Sequence, residues 1–111
     1  FEYLDKLPGP FTFILPLKNK SAVSKFVNPE SDTLGVRIPN HWFTDFVKLA
    51  GVPIVTTSVN KTGESYMTSL DDIDQDIKNA VDFIFYEGEK SSRPSTILIF
   101  KKGNVVLKER K

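Results

Sequence analysis

Residues 7–17 read Leu7-Pro8-Gly9-Pro10-Phe11-Thr12-Phe13-Ile14-Leu15-Pro16-Leu17. Pro-Gly-Pro punctuates the chain as a turn. The seven residues after it, Phe11 to Leu17, form a short apolar run and read as a buried strand.

Working outward, Ser21–Val27 reads as a short helix ending near Asn28-Pro29, and Leu34–Ile38 as a strand stopped by Pro39. His41–Leu49 has helical spacing, with Trp42, Phe43, Phe46, Val47 and Leu49 on a broad apolar face. Asn40 is the expected N-cap of that helix and Gly51 its C′ residue. Val52–Val59 reads as the next strand. Ser69-Leu70-Asp71-Asp72 resembles a capped helix start, and the helix should run to about Asn79. Phe83–Tyr86 reads as a strand, and Ser95–Phe100 with Val105–Lys108 as a hairpin around Gly103-Asn104. Strands separated by helices favour parallel pairing, and the terminal hairpin adds an antiparallel part. The expected class is therefore α/β (α+β) with a mixed sheet.

The bulk numbers agree with a globular domain. There are 111 residues, 40% hydrophobic and 26% charged, and nine Phe predict an aromatic-rich core. The net charge of +1 argues against a protein that coats polyanions. The absence of cysteine excludes disulfides and thiolate metal sites, and a single His excludes a multi-histidine metal site. No apolar run approaches the ~20 residues that span a bilayer. Phe1–Leu7 carries charges and no cleavage pattern, so the default expectation is a cytoplasmic address and no membrane association.

Three places concentrate polar chemistry. In Ile54–Asn60, period-two alternation puts Thr56, Ser58 and Asn60 on one side and Val55, Thr57 and Val59 on the other. Such a ladder could bind phosphate, carboxylate or amide groups; the competing reading is strand capping and a turn through Asn60 and Gly63. In Thr33–Ile38, Leu34, Val36 and Ile38 share one face, while Thr33, Gly35 and Arg37 share the other. A mid-strand Arg on a buried sheet requires an anionic partner. That partner is either a ligand carboxylate or phosphate, or an internal acid such as Glu30 or Asp32; the remaining reading is that Arg37 is simply exposed to solvent. Ser91–Thr96, between Gly88 and Pro94, reads as a mobile loop carrying hydroxyls and Arg93, or as an ordinary solvated loop. His41 reads as structural. Asp71, Asp72, Asp74 and Asp76 read as acids complementing a helix N-terminus.

Taken together these segments resemble the YrdC-like family, the threonylcarbamoyl-AMP synthases. The matching pieces stand in the family's order: LPGPFTFILP (7–16), DTLGVRIPNH (32–41), GVPIVTTSVNKTGE (51–64), the DDI helix start, DFIFYEG (82–88) and RPSTI (93–97). VRIP followed by a TSxNxTG-type run and then PSTI is a specific combination. The resemblance implies a twisted mixed sheet flanked by helices. It also implies a reaction joining L-threonine, bicarbonate and ATP into threonylcarbamoyl-adenylate and pyrophosphate, with Mg²⁺ accompanying the ATP. The product would serve a tRNA-modifying transferase complex acting at adenosine 37.

By the same resemblance, Arg37, Thr56 and Ser95 match positions on the L-threonine side. Thr33, Ser58, Asn60 and Arg110 match positions beside ATP. No residue looks like a nucleophile or general base. That suits a reaction in which threonine's own amine attacks bicarbonate and the carbamate then attacks the α-phosphate. Ser65 and Tyr66 stand where many members have proline and serine. The family's early P-T-[DE]-T-x-Y-G-L and K-x-R segments have no counterpart here. The expectation is a single YrdC-like domain over 1–111 representing the C-terminal portion, cut from a longer protein or completed by another chain. Two alternatives stay open. One is a non-catalytic RNA- or nucleotide-binding module, with Lys101, Lys102, Lys108, Arg110 and Lys111 meeting phosphates. The other is the YrdC-like domain of a hydrogenase-maturation carbamoyltransferase.

Overall fold

The computed structural model describes residues 2–27, 29–101 and 103–110. The expected helix end at Asn28, and Lys102 and Lys111 of the basic group, lie outside them. The chain divides into two compact units, Phe1–Ile54 with Arg93–Lys111, and Val55–Ser92.

The first unit holds a four-stranded sheet. Strand β1 (Phe11–Pro16) lies inside it, as its apolar run requires. It pairs antiparallel with β2 (Thr33–Val36) and parallel with β3 (Thr96–Lys101). Strand β4 (Asn104–Lys108) closes the hairpin with β3, giving the order β2-β1-β3-β4. Gly103, at φ 79°, takes the left-handed conformation that lets this hairpin turn tightly. The expected mixed sheet is therefore present.

Register assigns each side chain to a face. Phe13 stands opposite Val36 and Leu98, and Leu98 opposite Leu107. Phe13 and Leu98 are the buried hydrophobic residues of the described chain. Phe100 completes this face: its ring lies 5.1 Å from Phe13 and meets Tyr3 edge-on at 5.4 Å. Tyr3 comes from a 3-10 turn at Glu2–Lys6. The opposite face carries Thr12, Ile14, Ile97, Ile99 and Val106, with Thr33 and Gly35 from β2.

Helix α1 (Phe43–Ala50) belongs to the same unit. Its N-terminus departs from expectation. Trp42 is the N-cap, and the imidazole Nδ1 of His41, not Asn40, accepts the Phe43 N–H at 3.1 Å. Its C-terminus agrees, with Gly51 at φ 73° donating to the Lys48 and Val47 carbonyls. The apolar face is real but exposed: Trp42, Phe43 and Phe46 pack on one another.

In the second unit, helix α2 (Gln75–Ala80) is shorter than expected. The acid-rich start forms a separate 3-10 turn at Leu70–Asp72, and Asp74 caps α2 by accepting from the Asp76 and Ile77 N–H groups at 2.9 and 3.2 Å. Two expected strands are not formed: 52–59 and 83–86 have no ladder partner. Alternation marks which residues share a side, but a strand also needs a paired neighbour. The expected helix at 21–27 is reduced to a 3-10 turn at Lys20–Ala22.

Candidate functional site

Four polar residues of the first unit, Thr12, Ser95, Arg37 and Arg110, come to one end of the sheet. Thr12 sits near the amino end of β1, and Ser95 immediately precedes β3. Because β1 and β3 are parallel, both lie at the same end. Strands β2 and β4 run the other way, so their carboxyl ends deliver Arg37 and Arg110 to that end. Ligands of open α/β sheets usually lie at the carboxyl ends of parallel strands. This cluster lies at the amino ends of the parallel pair.

Ser95 is its centre. The residue is 8% exposed, the buried polar side chain of the described chain. Its hydroxyl lies 2.6 Å from the Thr12 hydroxyl. Arg110 Nη2 donates to the same hydroxyl at 2.6 Å, and Arg110 Nε donates to the Ser95 carbonyl at 3.0 Å. Ser95 is thus not on a free loop, as its Gly- and Pro-flanked context suggested. The fork geometry of guanidinium allows one Arg to hold both a side chain and a backbone oxygen. Two of its five N–H donors are used here, and the charge stays at the mouth of the cluster.

For Arg37 the structure takes the solvent-exposed reading and corrects the mid-strand placement. The residue is neither mid-strand nor buried: β2 ends at Val36, and Arg37 is exposed. Its guanidinium makes no ion pair or hydrogen bond among the described residues, so Glu30 and Asp32 are not its partners. Alternation continued one residue past β2 puts it on the face of Thr33 and Gly35, as read from sequence. Gly35 keeps that face close: a Cβ there would lie 3.3 Å from Ile14 Cδ1 and 3.6 Å from Thr12 Cγ2. Thr33, paired with Pro16, lies at the other end, about 13 Å along the strand from Arg37 at 3.3 Å per residue. Ser31 Oγ is 2.8 Å from its hydroxyl. A surface hollow of about 500 Å³ opens near that end, lined by Leu17, Lys20, Pro29 and Asp32 among others. It contains none of the sequence-predicted site residues, and the hydrogen-bonded cluster is the better guide to chemistry.

Thr56, Ser58 and Asn60 belong to the second unit. Thr56 is exposed. Ser58 Oγ donates to Asn60 Oδ1, and Asn60 Nδ2 donates to the Lys61 carbonyl at 2.9 Å. Ser58 and Asn60 therefore do meet, although the strand is not formed and Thr56 takes no part in the contact. The segment is closed by the Met67 N–H on the Val59 carbonyl at 2.9 Å and anchored by Lys61. Lys61 Nζ lies 2.6 Å from Asp76 and 3.5 Å from Asp74. The Lys61 hydrogen bond holds the Asp76 carboxyl below its ordinary range, and Asp76 with Asp74 raises the Lys61 pKa. The Asp72 carboxyl is also lowered, by accepting the Ser69 and Thr68 N–H groups at 3.0 and 3.2 Å. Asp72, Asp74 and Asp76 thus hold local structure together.

Sequence reading missed Thr12 and Lys61. Thr12 had a signal, as the lone hydroxyl in the strand FTFILP. Lys61 had none, because its partners are 13 and 15 residues away.

The comparisons with known proteins can now be set beside this geometry. The family model Sua5_yciO_yrdC, described as "Telomere recombination", matches residues 1–109. A Methanocaldococcus jannaschii protein named "Putative threonylcarbamoyl-AMP synthase" is 36% identical over 105 residues, covering 93% of this chain and 48% of that protein. The chain therefore spans about half the length of this curated relative. No solved structure gives a significant match.

Proposed function

Because the chain belongs to the Sua5/YciO/YrdC family, we propose that it supplies part of the site of a threonylcarbamoyl-AMP synthase. The reaction joins L-threonine, bicarbonate and ATP. The amine of threonine attacks bicarbonate, water leaves, and a carbamate oxygen attacks the α-phosphate of ATP as pyrophosphate departs.

Arg37, Ser95 and Thr56 are assigned to L-threonine. Arg37 supplies an exposed cation for the carboxylate, without an ion pair among the described residues. Thr33, Ser58, Asn60 and Arg110 are assigned to the nucleotide. These offer hydroxyls, an amide and a guanidinium but no carboxylate. A Mg²⁺ ion would accordingly travel on the ATP phosphates, keeping much of its own water. None of these residues is suited to act as a nucleophile or base. The protein's part is orientation and charge stabilisation.

The observation that best supports the reading is the buried Ser95 hydroxyl, held between Thr12 and Arg110 at the sheet end that also receives Arg37. Pyrophosphate release from ATP, measured with and without L-threonine and bicarbonate, tests it. Release that depends on threonine supports the synthase; RNA binding without turnover supports the non-catalytic module instead. The Arg37→Ala variant should weaken the threonine requirement's half-saturation by about 10-fold or more, the scale of a lost charge-assisted bond. Unchanged threonine dependence would remove Arg37 from the site.

A further inference from the structure

We propose that Thr12 is a positioning residue that makes Ser95 a hydrogen-bond donor toward a bound carboxylate. The inference rests on the assignment of Ser95 to the L-threonine side.

A serine oxygen has one proton and two lone pairs. Arg110 Nη2 fills one lone pair at 2.6 Å and can only donate. The remaining lone pair and the proton are divided between Thr12, also 2.6 Å away, and whatever enters the site. If Ser95 donates to Thr12, it presents only a lone pair outward, which repels an anion. If Thr12 donates to Ser95, both lone pairs are filled and the proton is free to point at a ligand. The 8% exposure of Ser95 leaves a narrow opening for that contact. The Arg110 charge behind the oxygen polarises the O–H and strengthens the outward bond. A carboxylate therefore selects the arrangement Thr12→Ser95→ligand, and the Thr12 hydroxyl sets the direction.

The test compares the wild-type chain with Thr12→Val, Thr12→Ala and Thr12→Ser, titrating each with L-threonine and, separately, with ATP by calorimetry. Thermal unfolding is followed alongside, and Thr12→Ala covers the case in which the valine methyl that replaces the hydroxyl crowds Ser95, 2.6 Å from that oxygen in the wild type, and the variant fails to fold. The expected result is about 10-fold weaker L-threonine binding when the hydroxyl is removed, the scale of one bond to a charged group. ATP binding should be unchanged, and Thr12→Ser should restore L-threonine affinity. Wild-type affinity for L-threonine in the hydroxyl-free variants overturns the inference alone. So does equal weakening of both ligands, which marks general loosening, or a Thr12→Ser variant as impaired as Thr12→Val. If the wild-type chain does not bind L-threonine, the assignment of Ser95 falls and the inference with it.

Discussion

At the scale of single residues, Ser95 carries the most consequence for the least side chain. Replacing it with alanine would strand two partners, the Thr12 hydroxyl and one Arg110 N–H. A stranded buried polar group costs about 1–3 kcal/mol. Arg110 is exposed and can recover water, so the low end applies. Ser95→Ala is expected to cost about 1 kcal/mol and to lower Tm by roughly 4–6 °C, read by thermal unfolding of the two chains. No change in Tm would mean that the cluster does not help hold β3 to β4. The residue scale also shows what sequence could carry. The face shared by Thr33, Gly35 and Arg37 was legible from alternation. The exposure of Arg37 was one reading among three, decided only by where β2 ends. The link from Ser95 to Thr12 was hidden as well, since it joins positions 83 residues apart.

At the scale of elements, ends behave differently from middles. Helix α1 stops at Gly51, whose φ of 73° is costly for any residue with a Cβ. A Cβ there would meet nothing within 4 Å, so Gly51→Ala isolates the backbone cost. The expected loss is about 1 kcal/mol, measurable as a shift in the denaturant midpoint with an unchanged slope. In the second unit, the turn before α2 rests on carboxylates. Asp72 accepts the Thr68 and Ser69 N–H groups, and Asp76 holds Lys61. Both carboxyls are held below their ordinary range, so they bind protons less readily folded than unfolded. Their contribution is complete above the unfolded carboxylate pKa and is lost as pH falls through the lower, folded values. Amide exchange at Thr68 and Ser69, corrected for intrinsic rates, should therefore stay slow down to about pH 4 and quicken below it. In Asp72→Ala it should be fast throughout; pH-independent protection in the wild type would show that the carboxylate is not what holds this turn. The Asp72 cap on Ser69 was legible because it acts within three residues; the Asp76–Lys61 pair, 15 residues apart, was not. The strands expected at 52–59 and 83–86 were not decidable in this way, since pairing depends on a distant neighbour that local pattern does not name.

At the scale of the whole molecule, the sheet's class was legible and its extent was not. FTFILP announced a buried strand, and the Gly103 turn announced a hairpin; both are present, with that strand inside the sheet. The order β2-β1-β3-β4 then leaves β2 and β4 as edges. The two edges differ in how well they resist pairing with another chain. β2 has four residues and is followed by Pro39, which blunts it. β4 has five, and its Val106 and Leu107 are 45% and 57% exposed, with Lys108 as the flanking charge. An exposed apolar edge is a template for further strands, and a charge within it is the usual remedy. Val106 is the better site for that charge. Leu107 stands opposite the buried Leu98, whereas Val106 stands opposite Ile99 on the half-exposed face. Val106→Lys should therefore suppress any concentration-dependent association, followed by light scattering, while costing about 1 kcal/mol of stability or less. Leu107→Lys removes apolar cover beside the buried Leu98 and should lower Tm more than Val106→Lys does. If Val106→Lys associates as the wild type does, the β4 edge is not the contact that brings chains together.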